Sequence, residues 1–455
     1  MGVLSWVKEF TLSHTINTIV RLAARGARKD ADGMLLKMFR LSRKLTRDPL
    51  WTAVIGDFER KVLTGHPAMG VARRFLTELN TRMRGQLIRT LFVKETLLGP
   101  QKRHALESQL GYYPPTAVVI SPTMSCPLKC YGCYAGNYDK TEELSFGDVD
   151  SIITQAKEIG LYLIVFSGGE PFSWKPLMRI FEKHSDCVFQ VYTSGLLLDD
   201  AMVDRLARMS YVSPAISCEG FEAETDRRRG KGAFEKVNRA MLRLKDRGVL
   251  VTFSATATSE NLDVITSDAF VDHWVEMGAM LGWYFSYMPI GRSPKLELMP
   301  TPAQRVELSR RVKRLRAEKP IVLIDFWNDG EYSGGCIAGA RKYFHINNKG
   351  DVEPCVFCHF AKDNVRRRPL KEILGSDFFR AFRARQPFNK DLRRPCIMID
   401  NPQVLREVVA ETGAHGTHEG AESLIKEFAA PLDRYAEAFG KALEKGPVVN
   451  IEHRA

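Results

Sequence analysis

The chain has no apolar run approaching the roughly 18–20 residues that a membrane-spanning helix needs. It has no low-complexity tract and no internal repeat, which sets aside solenoid and fibrous classes. Cysteine is scarce, nine in 455 residues, and unevenly spread, so a secreted disulfide framework is not expected. The opening Met1-Gly-Val-Leu-Ser-Trp-Val-Lys8 lacks a charged segment followed by a long apolar core, and is not expected to be a signal peptide. Beyond residue 100 the chain also lacks net charge. Residues 1–100 hold 18 Lys+Arg against 8 Asp+Glu, which is +10 of the total +12. A basic end of that kind can meet an anionic membrane surface, nucleic acid or an acidic protein. No specific nucleic-acid partner is expected.

What is present is organised in four parts. Residues 1–105 read as a basic helical region, with Met34, Met38, Leu41 and Leu45 at helical spacing. Either it is a small helical domain with a solvated face, or it docks on lipid headgroups with Trp6 and Trp51 as anchors. Residues 106–325 alternate strand and helix. Apolar runs at 117–121, 161–166, 187–192, 211–217, 249–255 and 283–288 are separated by amphipathic segments such as Val149, Ile152, Ile153 and Ala156. Six such units predict an α/β fold with a parallel sheet, curled as a partial barrel or wound flat, with ligands at the C-terminal strand ends. Residues 326–400 carry a predicted hairpin, Tyr343 to Pro354, flanked by cysteines. Residues 401–455 read as a helical tail.

The cysteines carry the chemistry. Cys126, Cys130 and Cys133 follow the first strand at C-x3-C-x2-C spacing. Three thiolates can hold three corners of an iron–sulfur cubane and leave one iron open. Alone, the triplet could also be part of a zinc site, although structural zinc wants four ligands. Further strand ends carry Ser167-Gly-Gly-Glu-Pro171, Tyr192-Thr-Ser-Gly195 and Ile216-Ser-Cys-Glu-Gly220, all small or polar groups on one face.

Together these segments resemble the radical S-adenosylmethionine (SAM) superfamily. The triplet matches its C-x3-C-x2-C motif and Gly168-Gly-Glu-Pro171 its G-G-E-P motif, while Thr193-Ser-Gly195 and Ser217-Cys-Glu-Gly220 resemble later elements. The resemblance implies a partial (β/α)6 barrel and a [4Fe–4S] cluster on Cys126, Cys130 and Cys133 whose open iron binds SAM. It also implies reductive cleavage to a 5′-deoxyadenosyl radical that abstracts hydrogen from an unactivated carbon. Gly168, Gly169 and Glu170 would orient the methionine amine, with Thr193 on the same face. Ser217 and Glu219 would lie near ribose or carboxylate, and Arg227, Arg228 or Arg229 could pair with the carboxylate. Gly132 occupies a position that is usually aromatic. A backbone contact to adenine survives that change, while a stacking role must move or vanish.

Cys336, Cys355, Cys358 and Cys396 form a second group. C-x13-G-x4-C around Gly350 resembles the SPASM extension, and four cysteines fit its shorter twitch form, with a second, auxiliary [4Fe–4S] cluster for electron relay. Zinc on the same four is the alternative. Asp325 is a candidate catalytic base, and a turn residue otherwise. His345 and His359 either support the auxiliary cysteines or lie at the surface. Cys187 and Cys218 read as core. The expected substrate is a lipid, isoprenoid or tetrapyrrole, with a peptide as alternative and a non-catalytic iron–sulfur binding protein as a further one. The expected electron donor is of the flavodoxin or ferredoxin type. The expected location is the cytoplasm, with peripheral contact at the inner membrane face.

Overall fold

The computed structural model describes residues 18, 20, 21, 24–27, 29–45 and 49–445. Trp6 and the Trp51 side chain lie outside the described residues. Nine strands form one open sheet in the order β7-β6-β5-β4-β3-β2-β1-β8-β9. They are β1 Ala117–Ile120, β2 Leu163–Phe166, β3 Val188–Thr193, β4 Val212–Cys218, β5 Val251–Ala257, β6 Ala279–Ser286, β7 Val322–Asp325, β8 Tyr343–Ile346 and β9 Val352–Glu353. All neighbours are parallel except the β8–β9 hairpin. The six expected strands are β1 to β6. Two additions were not expected. β7 extends one edge of the sheet, and the auxiliary hairpin joins the other edge by pairing Ala117 with Tyr343. The C-terminal cysteines are thereby tied to the sheet itself.

Crossover helices cover the outer face of the sheet, as parallel connections require. The helix Phe146–Glu158 starts at a capping box of Ser145 and Asp148 and buries Val149, Ile152, Ile153 and Ala156. The helix Ala233–Asp246 buries Val237, Met241 and Leu244 likewise. Residues beyond 401 form the helices Pro402–Thr412 and Ala429–Lys445, with a short strand His415–Gly416 paired to Phe360–Ala361 between them.

The basic N-terminal region has a small core of its own, in which Val20, Leu35, Val62, Met69 and Leu76 meet. It docks on the end of the sheet where the strands begin. Arg74 donates to the carbonyls of Ala279 at 2.7 Å and Val275 at 3.1 Å. The Asn80 amide donates to Gly248 O at 2.9 Å. Among the described residues no helix is long and apolar enough to cross a membrane.

Candidate active site

The cysteine loop begins where β1 ends, and its path is set by close backbone contacts. The amides of Gly169 and Glu170 donate to the carbonyls of Thr123 at 3.0 Å and Ser125 at 2.9 Å. A Cβ on Gly169 would stand 2.2 Å from Ser125 O, and one on Gly168 would stand 2.6 Å from Thr123 O. Only glycine lets these two loops approach so closely. Arg292 donates from Nη1 to Cys130 O at 3.1 Å and from its amide to Cys133 O at 3.0 Å. Arg228 Nε reaches Tyr131 O at 3.3 Å. Neither arginine contact was legible in the motif.

Gly132 has φ +61°, and a Cβ there would meet Tyr287 Cε2 at 2.5 Å. The aromatic ring missing from position 132 is thus supplied from the segment after β6. Burial pushes the Cys126 thiol up to about 11, and Glu170, Cys130 and Cys133 add to the effect. Burial also raises Cys133. Two thiols that resist ionisation, Cys126 and Cys133, call for a cationic centre to hold them as thiolates, as iron would.

Glu170 does not present a free carboxylate. It is 1 % exposed, and both of its oxygens are used. Oε1 accepts from Thr193 Oγ1 at 2.7 Å, and Oε2 accepts from the Ser194 amide at 2.9 Å and hydroxyl at 2.6 Å. Glu170 and Thr193 therefore brace the second strand-end loop against the third.

Arg229 is likewise committed. Its Nε and Nη2 lie 2.9 and 2.5 Å from Glu219 Oε1, and Arg228 Nη1 lies 2.6 Å from the same atom. Arg227 pairs with Glu260 at 3.0 Å. Glu219 Oε2, by contrast, is buried with no partner, and the half-buried Ser217 hydroxyl makes no side-chain hydrogen bond among the described residues. An orphaned buried acceptor beside Ser217 suits the hydroxyls of a bound nucleoside.

Asp325 faces the wrong way for a base acting on substrate. Along β6 and β7 the register pairs Trp283 with Ile324 and Tyr284 with Asp325. Trp283 and Ile324 face the concave lumen, so Asp325 points outward with Tyr284. There it lies near Arg305 and Arg316 of the helix Pro302–Glu318. It accepts from Asn328 Nδ2 at 2.7 Å and is 1 % exposed. Burial pushes its carboxyl up to about 7.

The four C-terminal cysteines converge. Cys336, Cys355 and Cys396 line one recess with Phe326, Trp327 and Met398. Burial pushes each of the three up to about 12, and Cys358 is also raised well above its usual value, each thiol feeling at least one of the others. Donors aim at the sulfurs. Tyr343 Oη is 2.8 Å from Cys355 Sγ, and Trp327 Nε1 is 3.3 Å from Cys396 Sγ. Such donors favour thiolates and tune a cluster. Among the described residues no three of His, Cys, Asp and Glu are drawn in tightly enough to hold a single ion.

His345 and His359 are both fully buried and not surface groups. His345 bridges Ser121 Oγ at 2.7 Å and Glu353 at 2.6 Å, while His359 meets His418 at 2.7 Å. Cys187 and Cys218 are core residues.

Between the two cysteine sites the lumen is walled by rings. Phe285 stacks on Trp283 and contacts Tyr192, Phe326 and Trp327 at centroid distances of 5.2–6.0 Å. Phe357, from the Cys355–Cys358 loop, lies 4.9 Å from Trp327 and 5.1 Å from Tyr134, the residue after Cys133.

Family models match this layout at both ends. Residues 120–263 match the radical SAM superfamily, and residues 336–397 match the SPASM iron–sulfur cluster-binding domain. The chain carries a radical SAM domain followed by a SPASM domain. Similar proteins include an AdoMet-dependent heme synthase from Methanosarcina barkeri, 25 % identical over 59 % of this chain and 85 % of the relative. A PqqA peptide cyclase from Granulibacter bethesdensis is 27 % identical over 53 % of this chain and 68 % of the relative. Among solved structures, Streptococcus suis SuiB bound to SAM superposes with a TM-score of 0.55 at 18 % identity, over 76 % of this chain and 84 % of that one. This last likeness is one of fold. The two domains imply SAM, a [4Fe–4S] cluster and auxiliary iron–sulfur binding.

Proposed function

We propose that this radical SAM enzyme abstracts hydrogen from a side chain of a peptide substrate and modifies it. The observation that carries the reading is the ring-walled lumen lying between the two cysteine sites. Tyr192, Trp283, Phe285, Phe326 and Phe357 offer flat apolar surface that can hold one side chain while the rest of a peptide lies across the strand ends. Similarity to PqqA peptide cyclases supports this choice. The N-terminal helices pack their own core and dock on the sheet, which weakens the case for a dedicated lipid platform.

Cys126, Cys130 and Cys133 would hold the cluster that binds SAM, and Cys336, Cys355, Cys358 and Cys396 the auxiliary one. When bound, the first cluster supplies the electron that turns SAM into a hydrogen-abstracting radical source. The Gly168–Gly169 backbone, Ser217 and Glu219 Oε2 orient SAM. Arg228 and Arg229 hold the other oxygen of Glu219 in place. Arg292 fixes the cysteine loop. Trp327 and Tyr343 donate to the auxiliary sulfurs. The ring wall excludes water from the lumen. A flavodoxin- or ferredoxin-type donor in a reducing compartment completes the reading.

A second reading, a tetrapyrrole substrate, is favoured by the similarity to heme synthases and by a wall equally suited to a planar macrocycle. Quenching of Trp283 and Trp327 fluorescence tests the choice. Saturable quenching by short aromatic peptides, lost in Phe285→Ala, supports the peptide. Quenching by coproporphyrin alone overturns it.

A further inference from the structure

The far end of the sheet carries a site with no role in the chemistry above. The segments before β3, β4 and β5 contribute Ser185, Tyr211 and Gly248, so this end is opposite the cysteine triplet. There the N-terminal helices meet the sheet and leave three recesses of about 410, 700 and 310 Å³. All three share Thr81, so they adjoin one another around it.

Arginine dominates the lining. Arg21, Arg25, Arg82 and Arg208 are exposed, and none makes a side-chain hydrogen bond or ion pair among the described residues. Arg89 bonds Gln86 at 2.8 Å but keeps a buried Nε with no acceptor. It stands at the start of a π-helix, Ile88–Leu98, a rare form frequent at functional sites. The acids of the groove are mostly spent. Asp204 pairs with Arg247 at 2.6 Å and Glu78 with Arg74 at 2.9 Å, which leaves Asp246. Guanidinium groups with no partner among the described residues, set along adjoining recesses, call for an anion, and their planar forks match carboxylates.

We infer that this groove binds a carboxylate-rich stretch of polypeptide. Adjoining open recesses lined by separate arginines accommodate an extended chain. Ala24, Leu76, Leu79 and Met209 give it an apolar floor suited to a backbone and its methylenes. The groove lies away from the lumen, so its occupant anchors a partner or a remote part of a substrate and does not react there.

The test uses a fluorescein-labelled deca-glutamate peptide and the full-length chain. Binding should weaken steeply with salt, and by about tenfold or more in Arg82→Glu/Arg208→Glu. A control reversal with the same charge change, Lys390→Glu/Lys441→Glu, should leave it nearly unchanged. Both control lysines are exposed. Thermal melting checks folding, and Arg82→Gln/Arg208→Gln serves if the reversal does not fold. Equal weakening by both pairs, or no binding at low salt, overturns the site. So does loss of phosphatidylglycerol-vesicle binding in Arg82→Glu/Arg208→Glu with peptide binding unchanged, which would assign the arginines to lipid.

Discussion

Replacing Glu170 by alanine should destabilise the chain even when no cofactor is bound. The carboxylate accepts from Thr193 Oγ1, the Ser194 amide and the Ser194 hydroxyl at 2.6–2.9 Å, in a site 1 % exposed. The two hydroxyls can rotate towards other acceptors, but the Ser194 amide cannot. Hydrogen bonds to a charged group contribute about 1.5–3 kcal/mol each, and the desolvation of the carboxylate offsets part of that. The net loss is about 3–5 kcal/mol, which corresponds to several degrees in melting temperature. Glu170→Gln keeps the shape but turns an amide donor on Ser194, and should cost about 1–3 kcal/mol. The assay is thermal or urea unfolding of the metal-free chain, followed by SAM binding in the reconstituted protein. If Glu170→Ala melts with the wild type without cofactor but loses SAM binding, the carboxylate contacts the ligand directly and the bracing role is wrong.

Asp325 gives a pH prediction. Burial raises its carboxyl from 3.8 to about 7, so the folded state holds a proton that the unfolded state has lost across that range. The resulting stability is complete below about pH 4 and lost as pH rises through 7, up to about 4 kcal/mol in all. Asp325→Asn should flatten that slope and be more stable than the wild type at pH 8. A slope left unchanged in Asp325→Asn would contradict the buried, protonated carboxyl. Cys358→Ala should lower iron and sulfide from about eight to about four per chain, read by chemical analysis after anaerobic reconstitution. Gly132→Ala should cost about 1–3 kcal/mol through its contact with Tyr287 and its positive φ. Tyr287→Leu should recover part of that loss in a double-mutant cycle by urea unfolding.

The strands β1 to β6 were legible because each is a short apolar run between turn residues, and the cysteine triplet because its ligands lie within one loop. What was not legible depends on distant pairing. Arg292 reaches Cys130 across 162 positions, and Tyr287 fills the space that Gly132 leaves. β8 pairs with β1 from far along the chain, so the auxiliary hairpin read as a separate unit. Residues 322–325 gave too short a run to register as a strand. The two-residue alternation that turns Asp325 outward was therefore missed, although Ile324 and Phe326 on either side face the lumen. Glu170 looked free because its acceptors are filled by Thr193 and Ser194, whose place beside it follows from β2–β3 pairing.

The account rests on two cysteine sites that serve radical chemistry from SAM. Anaerobic incubation of the reconstituted protein with SAM and dithionite tests it most directly, with iron and sulfide measured on the same sample. The account predicts 5′-deoxyadenosine and methionine, formed with about eight irons per chain and lost in Cys130→Ala. A protein with both sites filled that forms no 5′-deoxyadenosine, even slowly, would contradict it.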